Sequence, residues 1–130
     1  MKDNLTELID KKILNLTLKK QWFDMILSGE KKEGYREFKP YWIKRFGYTS
    51  YSSQDPADNG YYDEVMNELP DIIKFTNGYS KNSPSFYIEV EDWVVGKSRH
   101  PEWGGDTTQS QFIFKLGKII TNGTNETNIS

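Results

Sequence analysis

Three segments of the chain alternate apolar and polar residues, a pattern typical of strands that bury one face. Each places three apolar residues on one side: Leu14, Leu16 and Leu18; Phe86, Ile88 and Val90; Phe112, Phe114 and Leu116. A strong helical period occurs over residues 20–28, where Trp22 and Ile26 are four apart. Because few helices alternate with strands after residue 70, a doubly wound parallel sheet is disfavoured. The pattern predicts an α+β fold with a small mixed, mostly antiparallel β-barrel and flanking short helices.

Weaker signals complete the expected order of elements. Gly29 follows the helix at 20–28, where a left-handed cap is favoured, and Asn77-Gly78 favours a tight turn after a strand. The other segments are predicted as a helix at 3–10, strands at 31–38 and 72–76, a short helix from Pro40 to Phe46, loops at 48–60 and 96–110, and a brief helix at 61–69. We predict one domain over residues 1–121, with a polar, acidic insertion at about 47–70 and a disordered tail at 122–130.

Charge is segregated along a chain whose formal net charge is only -2. Residues 31–45 hold six cationic and two acidic side chains, whereas residues 54–71 hold six acidic side chains and no Lys or Arg. Such segregation can steer an anionic partner towards the basic segment. Two ordinary solvated surface segments are an equally good interpretation.

Composition excludes several classes of site and location. The chain has no cysteine, which excludes disulfides, thiolate metal sites and a thiol nucleophile, and its single histidine, His100, disfavours a transition-metal site. We therefore expect no metal and no cofactor. The N-terminal residues are acidic and contain no long apolar run, so neither a signal peptide nor a membrane span is expected. The prediction is a cytoplasmic protein without a membrane partner.

Residues 13–37 combine a strand, a helix ending in Ser28-Gly29, and a following segment that carries Lys31 and Arg36. In this block the chain resembles the ASCH (activating signal cointegrator homology) family of the PUA-like superfamily, whose signature is G-x-K-x-x-E-x-R after such a helix. Gly29, Lys31 and Arg36 match three of the four positions, and Gly34 stands where the family has an acid. Further similarity over residues 13–120 includes segments 75–80, 86–95, 102–104 and 115–118, as in small bacterial and phage ASCH proteins.

The resemblance implies a PUA-like barrel with a basic cleft that binds RNA or a nucleotide-like ligand. Lys31 and Arg36 are the expected phosphate contacts, although regular strand alternation separates them unless a bulge intervenes or Lys31 lies in the turn. Tyr79 and Trp103 are candidates for stacking on a base, and Asn77 and Ser80 for hydrogen bonds to a base edge. For these loop residues, anchoring of the loop or formation of a turn explains the same residue types.

Two other functions remain as alternatives. Some ASCH proteins resemble amidohydrolases of N4-acylated cytidines, which use a glutamate together with a lysine and a threonine three residues after that lysine. Here the lysine and threonine positions are Lys31 and Gly34, so an amidohydrolase or a ribonuclease would use Lys31 as its catalytic residue. The second alternative is a phage-type protein-interaction module acting through the insertion at 47–70. The sequence identifies neither the ligand nor the oligomeric state.

Overall fold

The computed structural model describes residues 8–52 and 62–121. The chain divides into two compact units. Unit 1 contains the described residues 8–36 and 70–121, and unit 2 is Glu37–Leu69. In chain order the elements are β1 (Ile13–Leu18), α1 (Lys20–Leu27), β2 (Glu33–Glu37), α2 (Pro40–Arg45), β3 (Tyr48–Ser52), β4 (Tyr62–Met66), β5 (Ile72–Asn77), β6 (Ser85–Gly96), a 3-10 helix (Pro101–Trp103) and β7 (Gln111–Thr121).

Unit 1 is built on one five-stranded sheet with the order β1-β5-β6-β7-β2. β1 pairs parallel with β5, whereas β5 with β6 and β6 with β7 are antiparallel. The β6/β7 register shifts between Tyr87 and Asp92, and such irregularities increase local twist and bending. The predicted class of a small mixed, mostly antiparallel α+β fold is confirmed, with the sheet strongly curled into a half-barrel.

The curl brings the two edge strands of this sheet together. Arg36 Nη2 in β2 donates a hydrogen bond to the carbonyl oxygen of Thr17 in β1, at 3.1 Å. A Cβ added to Gly34 in β2 would lie 3.3 Å from the ring of Phe75 in β5. β2 therefore lies close to β1 and β5, although β6 and β7 separate it from β5 in the order of the sheet.

Phenylalanine and aliphatic side chains form the core of unit 1. Four phenylalanines have no exposed surface at all: Phe75, Phe86, Phe112 and Phe114. Phe23 from α1 packs edge-on against Phe86 with ring centroids 4.9 Å apart, so the helix closes one side of the sheet. Phe86, Phe112 and Phe114 are positions that the alternating period places on an inner face, and the predicted elements β1, α1, β6 and β7 are confirmed.

The end of α1 determines where the next segment begins. Gly29 has φ +87°, a conformation that side-chain-bearing residues rarely adopt, and its N–H donates to the carbonyl of Ile26. The N–H of Lys31 then donates to the carbonyl of Met25 at 2.9 Å. The turn thus folds Lys31 back onto the helix before β2 starts at Glu33.

Unit 2 contains α2 and a two-stranded sheet of β3 and β4. The expectation of a loop from 48 and a helix at 61–69 is wrong, because β3 and β4 pair antiparallel and Tyr48 lies opposite Met66. Tyr48 and Met66 are both buried, while Thr49, Ser50 and Glu64 are exposed. A two-stranded ribbon has many exposed positions, so its composition is that of a loop.

Several predictions fall partly or wholly outside the described residues. Of the helix expected at 3–10, only 8–10 are described, and they form a turn. Residues 53–61, within the predicted insertion, and the tail at 122–130 are not described. Among the helices of residues 8–52 and 62–121, none has the length and apolar character needed to cross a membrane.

Candidate basic pocket

Lys31 is a buried cation that lies on two aromatic rings. Only 4 % of its surface is exposed. Its Nζ lies 4.1 Å from the ring centroid of Tyr35 and 5.7 Å from that of Trp22, and it donates a hydrogen bond to the carbonyl oxygen of Glu33 at 2.6 Å. The ring faces stabilise the ammonium electrostatically, which partly replaces the water it has lost.

The pKa of Lys31 reflects this burial. Loss of water lowers the pKa to about 8; the Glu33 carboxylate raises it and the Arg36 guanidinium lowers it further. The side chain is therefore mostly protonated at neutral pH, but burial penalises its charge. An anion bound next to Nζ would remove that penalty.

Arg36 has two roles: it supports the fold and it helps to form the site. Its Nη1 donates to the carbonyl of Tyr35 at 2.6 Å, and its Nη2 bonds to Thr17 across the gap between the edge strands. Burial lowers the pKa of Arg36, and the nearby Tyr79 phenol opposes this effect. Arg36 thus links the two edge strands of the sheet, and its charge acts on Lys31.

Lys31 and Arg36 line the same pocket, which has a volume of about 170 Å³. They do so because Lys31 lies in the turn before β2, where the alternation of a strand does not apply. Three aromatic side chains form walls, and the complete lining is Leu18, Trp22, Lys31, Gly34, Tyr35, Arg36, Trp103 and Gly104. None of these residues is acidic. We call this site the basic pocket.

Trp103 reaches the basic pocket through the loop between β6 and β7. It lies in the 3-10 helix, and its ring stacks on His100 with centroids 3.9 Å apart. The next residue, Gly104, has φ +84°, and a Cβ there would lie 2.8 Å from Cζ2 of Trp22. Glycine therefore lets the loop lie directly against Trp22, so that Trp103 is both a loop anchor and a wall of the basic pocket.

A hydrogen-bonded chain fixes the position of Tyr35. Its hydroxyl donates to Oε1 of Glu33 at 2.8 Å and accepts from Oγ of Ser98 at 3.3 Å. Ser98 is 4 % exposed, and its Oγ also accepts a bond from the N–H of His100 at 2.9 Å. Burial, the main cause, raises the pKa of Tyr35, so the phenol stays protonated. The chain links β2 to the loop that carries Trp103.

The other candidate residues, Asn77, Tyr79 and Ser80, do not line the basic pocket. Asn77 is paired in register with Leu18, which does line it, and the backbone N–H of Asn77 donates to Pro84. Ser80 Oγ accepts from the N–H of Asn82, as expected of a turn residue. Tyr79 is 93 % exposed. The connection from β5 to β6 spans residues 78–84, longer than the tight turn that Asn77-Gly78 predicts.

Sequence reasoning missed three residues that build the site. The sequence singles out Trp22 only for its helical spacing to Ile26, and no motif or spacing singles out Tyr35 or Ser98. Tyr35 and Ser98 are 63 positions apart, so only the fold brings them together. The one indication in the sequence that Tyr35 belongs to the site is its position next to the candidate residue Arg36.

Two further features of the described residues bear on ligand class. A larger pocket of about 520 Å³ is lined by Asp71, Glu89 and Glu91 with only Lys11 as a cation, so its charge repels anions. No group of three or more His, Cys, Asp or Glu side chains in residues 8–52 and 62–121 is arranged to hold a metal ion.

We compared the chain with protein-family models, curated proteins and solved structures, and none of them matches. The resemblance to ASCH domains therefore depends on the motif residues themselves. Gly29, Lys31 and Arg36 now have defined positions: the turn after α1, the lining of the basic pocket and the junction of the edge strands. Membership of the ASCH family stays a prediction.

Proposed function

We propose that this protein is a PUA-like, ASCH-type domain that binds RNA or a nucleotide-like ligand at the basic pocket. One observation carries the proposal: Lys31 and Arg36 converge on one pocket that has aromatic walls and no acidic residue in its lining. A nucleotide presents a phosphate and a base, and cations and aromatic faces are groups that bind them.

The need for a counter-ion supports a phosphate contact. Cations buried away from water are costly unless an anion compensates them. The carboxylate of Glu33, whose charge raises the pKa of Lys31, already accepts from Tyr35 and lies 3.6 Å from Lys115 Nζ. The ammonium of Lys31 has three N–H groups and donates one to the Glu33 carbonyl, so the others can donate to a phosphate oxygen.

The size of the basic pocket indicates how much of a ligand it holds. Its volume of about 170 Å³ lies below the roughly 300 Å³ at which pockets enclose drug-sized molecules. We therefore expect one phosphate group or one base inside, with the remainder on the surface. Tyr79, whose phenol raises the pKa of Arg36, is exposed on the surface. Stacking of a base on its ring would contribute about 1–3 kcal/mol to binding.

An enzyme is the second candidate, favoured by the lowered pKa of Lys31, which brings the amine close to the range of a general base or nucleophile. The amidohydrolase version has less support, because Gly34 replaces the threonine and its Cα faces the ring of Phe75. A side chain there would begin only 3.3 Å from that ring. A ribonuclease needs no residue at this position. The interaction module at 47–70 stays a separate prediction.

The first test is a titration of the protein with a short single-stranded RNA and with cytidine nucleosides and nucleotides, at low and moderate salt. Trp22 and Trp103 line the basic pocket, so their fluorescence should report binding. We expect Lys31→Met to weaken RNA binding about 10–100-fold, which corresponds to the free energy of one charge-assisted hydrogen bond. Lys32→Met is the matched control, since Lys32 is the exposed neighbour, and should change affinity less than about threefold.

The outcomes separate the candidates. Equal affinities of the two variants, or no binding by the wild type at low salt, would contradict the proposal. Chromatography of the same mixtures detects turnover. Product formation that Lys31→Met abolishes and Lys32→Met retains would establish the enzyme, provided that circular dichroism shows both variants folded.

Binding to the basic pocket should also depend on pH. The charged form of Lys31 binds the anion and dominates below its pKa of about 8. Affinity should therefore be constant below that pH and fall by up to about tenfold per pH unit above it. The raised pKa of Tyr35 keeps it protonated over this range. Lys31→Met should give a flat profile; a wild-type profile equally flat to about pH 9.5 would exclude Lys31 as the anion contact.

A further inference from the structure

A second pocket of about 470 Å³ lies in unit 1 between the end of β6, β7 and β2. Three cationic side chains line it: Lys97 and Arg99 from the loop after β6, and Lys115 from β7. Val94 and Ile113, which are paired in register, form an apolar floor. We call it the second pocket.

The charges of the second pocket are not balanced within the described residues. Glu33 is the only carboxylate in its lining, and its two oxygens are occupied by Tyr35 and Lys115. Lys97 and Arg99 are exposed, and neither makes a hydrogen bond or an ion pair in the part of the chain that the structure describes. Two cations thus face the opening of a concave site without a counter-ion.

The second pocket and the basic pocket share one wall. His100 lines the second pocket and Trp103 lines the basic pocket, and their rings stack on each other. On the same boundary, Tyr35 of the basic pocket donates its hydrogen bond to Glu33 of the second. The two sites are therefore immediate neighbours, separated by the thickness of a pair of side chains.

From this juxtaposition we infer that the ligand is a single-stranded oligonucleotide whose successive phosphates occupy the two pockets. The inference rests on the proposed function and specifies its ligand. A nucleoside monophosphate has one phosphate group and could fill only one of the two pockets. Arg99 can hold a phosphate with two donors, while Lys97 adds a point charge. The His100–Trp103 pair lies between the phosphates, where a base can stack.

The test compares uridine monophosphate with a short oligouridylate on the wild type and on Lys97→Glu/Arg99→Glu. We expect the double variant to weaken oligouridylate binding at least about tenfold and to change monophosphate affinity less than about threefold. The slope of log affinity against log salt for the oligomer should become shallower by about 0.7 for each phosphate that the variant no longer neutralises. Both residues are exposed, so the fold should be retained.

Lys11→Glu/Lys12→Glu is the control, because it changes the net charge by the same amount. These two residues precede the start of β1, whereas the basic pocket lies at its other end, at Leu18. The inference is overturned if the control weakens the oligomer as much, or if the Lys97/Arg99 variant binds the oligomer like the wild type. It is also overturned if both ligands lose affinity equally. A wild type that binds the monophosphate but gains nothing from the oligomer overturns this inference alone. A wild type that binds neither overturns the proposed function with it.

Discussion

Replacement of Arg36 by methionine should destabilise the protein by about 2–3 kcal/mol and also reduce RNA binding below detection in the titration above. The guanidinium donates to the carbonyls of Thr17 and Tyr35, and methionine would leave both without this donor. The bond to Thr17 joins β2 to β1, the two edges of the curled sheet. The same change removes one of the two cations of the basic pocket.

Urea unfolding followed by circular dichroism measures the change in stability. Arg45→Met is the control: Arg45 is exposed in the last turn of α2 and should cost less than about 0.5 kcal/mol. Arg36→Lys separates the two roles, because lysine keeps the charge but lacks the planar fork that reaches two carbonyls. We expect Arg36→Lys to recover part of the binding and little of the stability. Equal stability of the Arg36→Met and Arg45→Met variants would show that the bond across the edges contributes nothing.

The elements that the sequence predicts well are those whose periodicity reflects one buried face. β1 and β6 alternate because one face of each packs in the core, and β7 keeps the period although Ile113, on its other face, is also buried. In α1 the buried residues Phe23 and Ile26 lie three apart, which is a helical spacing. Burial imposes the period, so the period identifies the element. The curl of the sheet has no such signature, since it depends on register shifts and on the approach of Gly34 to Phe75.

The sequence does not predict β3 and β4, because few buried positions leave no clear period. A two-stranded ribbon buries few side chains, and in this one Tyr48 and Met66 are buried opposite each other. Thr49, Ser50 and Glu64 are exposed, as the residues of a loop are. Composition therefore predicted a loop where backbone pairing makes strands.

The site was predictable where a local motif carries it and not where the fold assembles it. The motif spacing indicated Lys31 and Arg36, and the turn at Gly29 explains how they meet despite strand alternation. Trp103 was a candidate because a large aromatic in a loop needs something to pack against. Ser98 escaped, because its role depends on a hydrogen bond to a residue 63 positions away.

Gly105→Ala should be the most disruptive single methyl addition near the site, because its Cβ would overlap both Cβ and Oγ of Ser98 and lie 3.1 Å from the carbonyl oxygen of His100. Ser98 is buried and its Cβ can move only with the backbone. We expect a loss of about 2–4 kcal/mol, which exceeds ordinary overpacking because the shift also breaks the Ser98–Tyr35 bond. Gly96→Ala is the control, since a Cβ there meets nothing within 4 Å.

A double variant tests the cause of the Gly105→Ala effect. Ser98→Gly removes both atoms that the new methyl group would strike, at the cost of the hydrogen bonds of Ser98 to Tyr35 and His100. If overlap is the cause, Ser98→Gly/Gly105→Ala should be more stable than the sum of the single effects predicts, by at least about 1 kcal/mol in urea unfolding. Additive losses would mean that Gly105 is required for its backbone and not for the space beside Ser98. The double variant should still bind RNA less tightly than the wild type, because no hydroxyl then ties Tyr35 to the loop that carries Trp103.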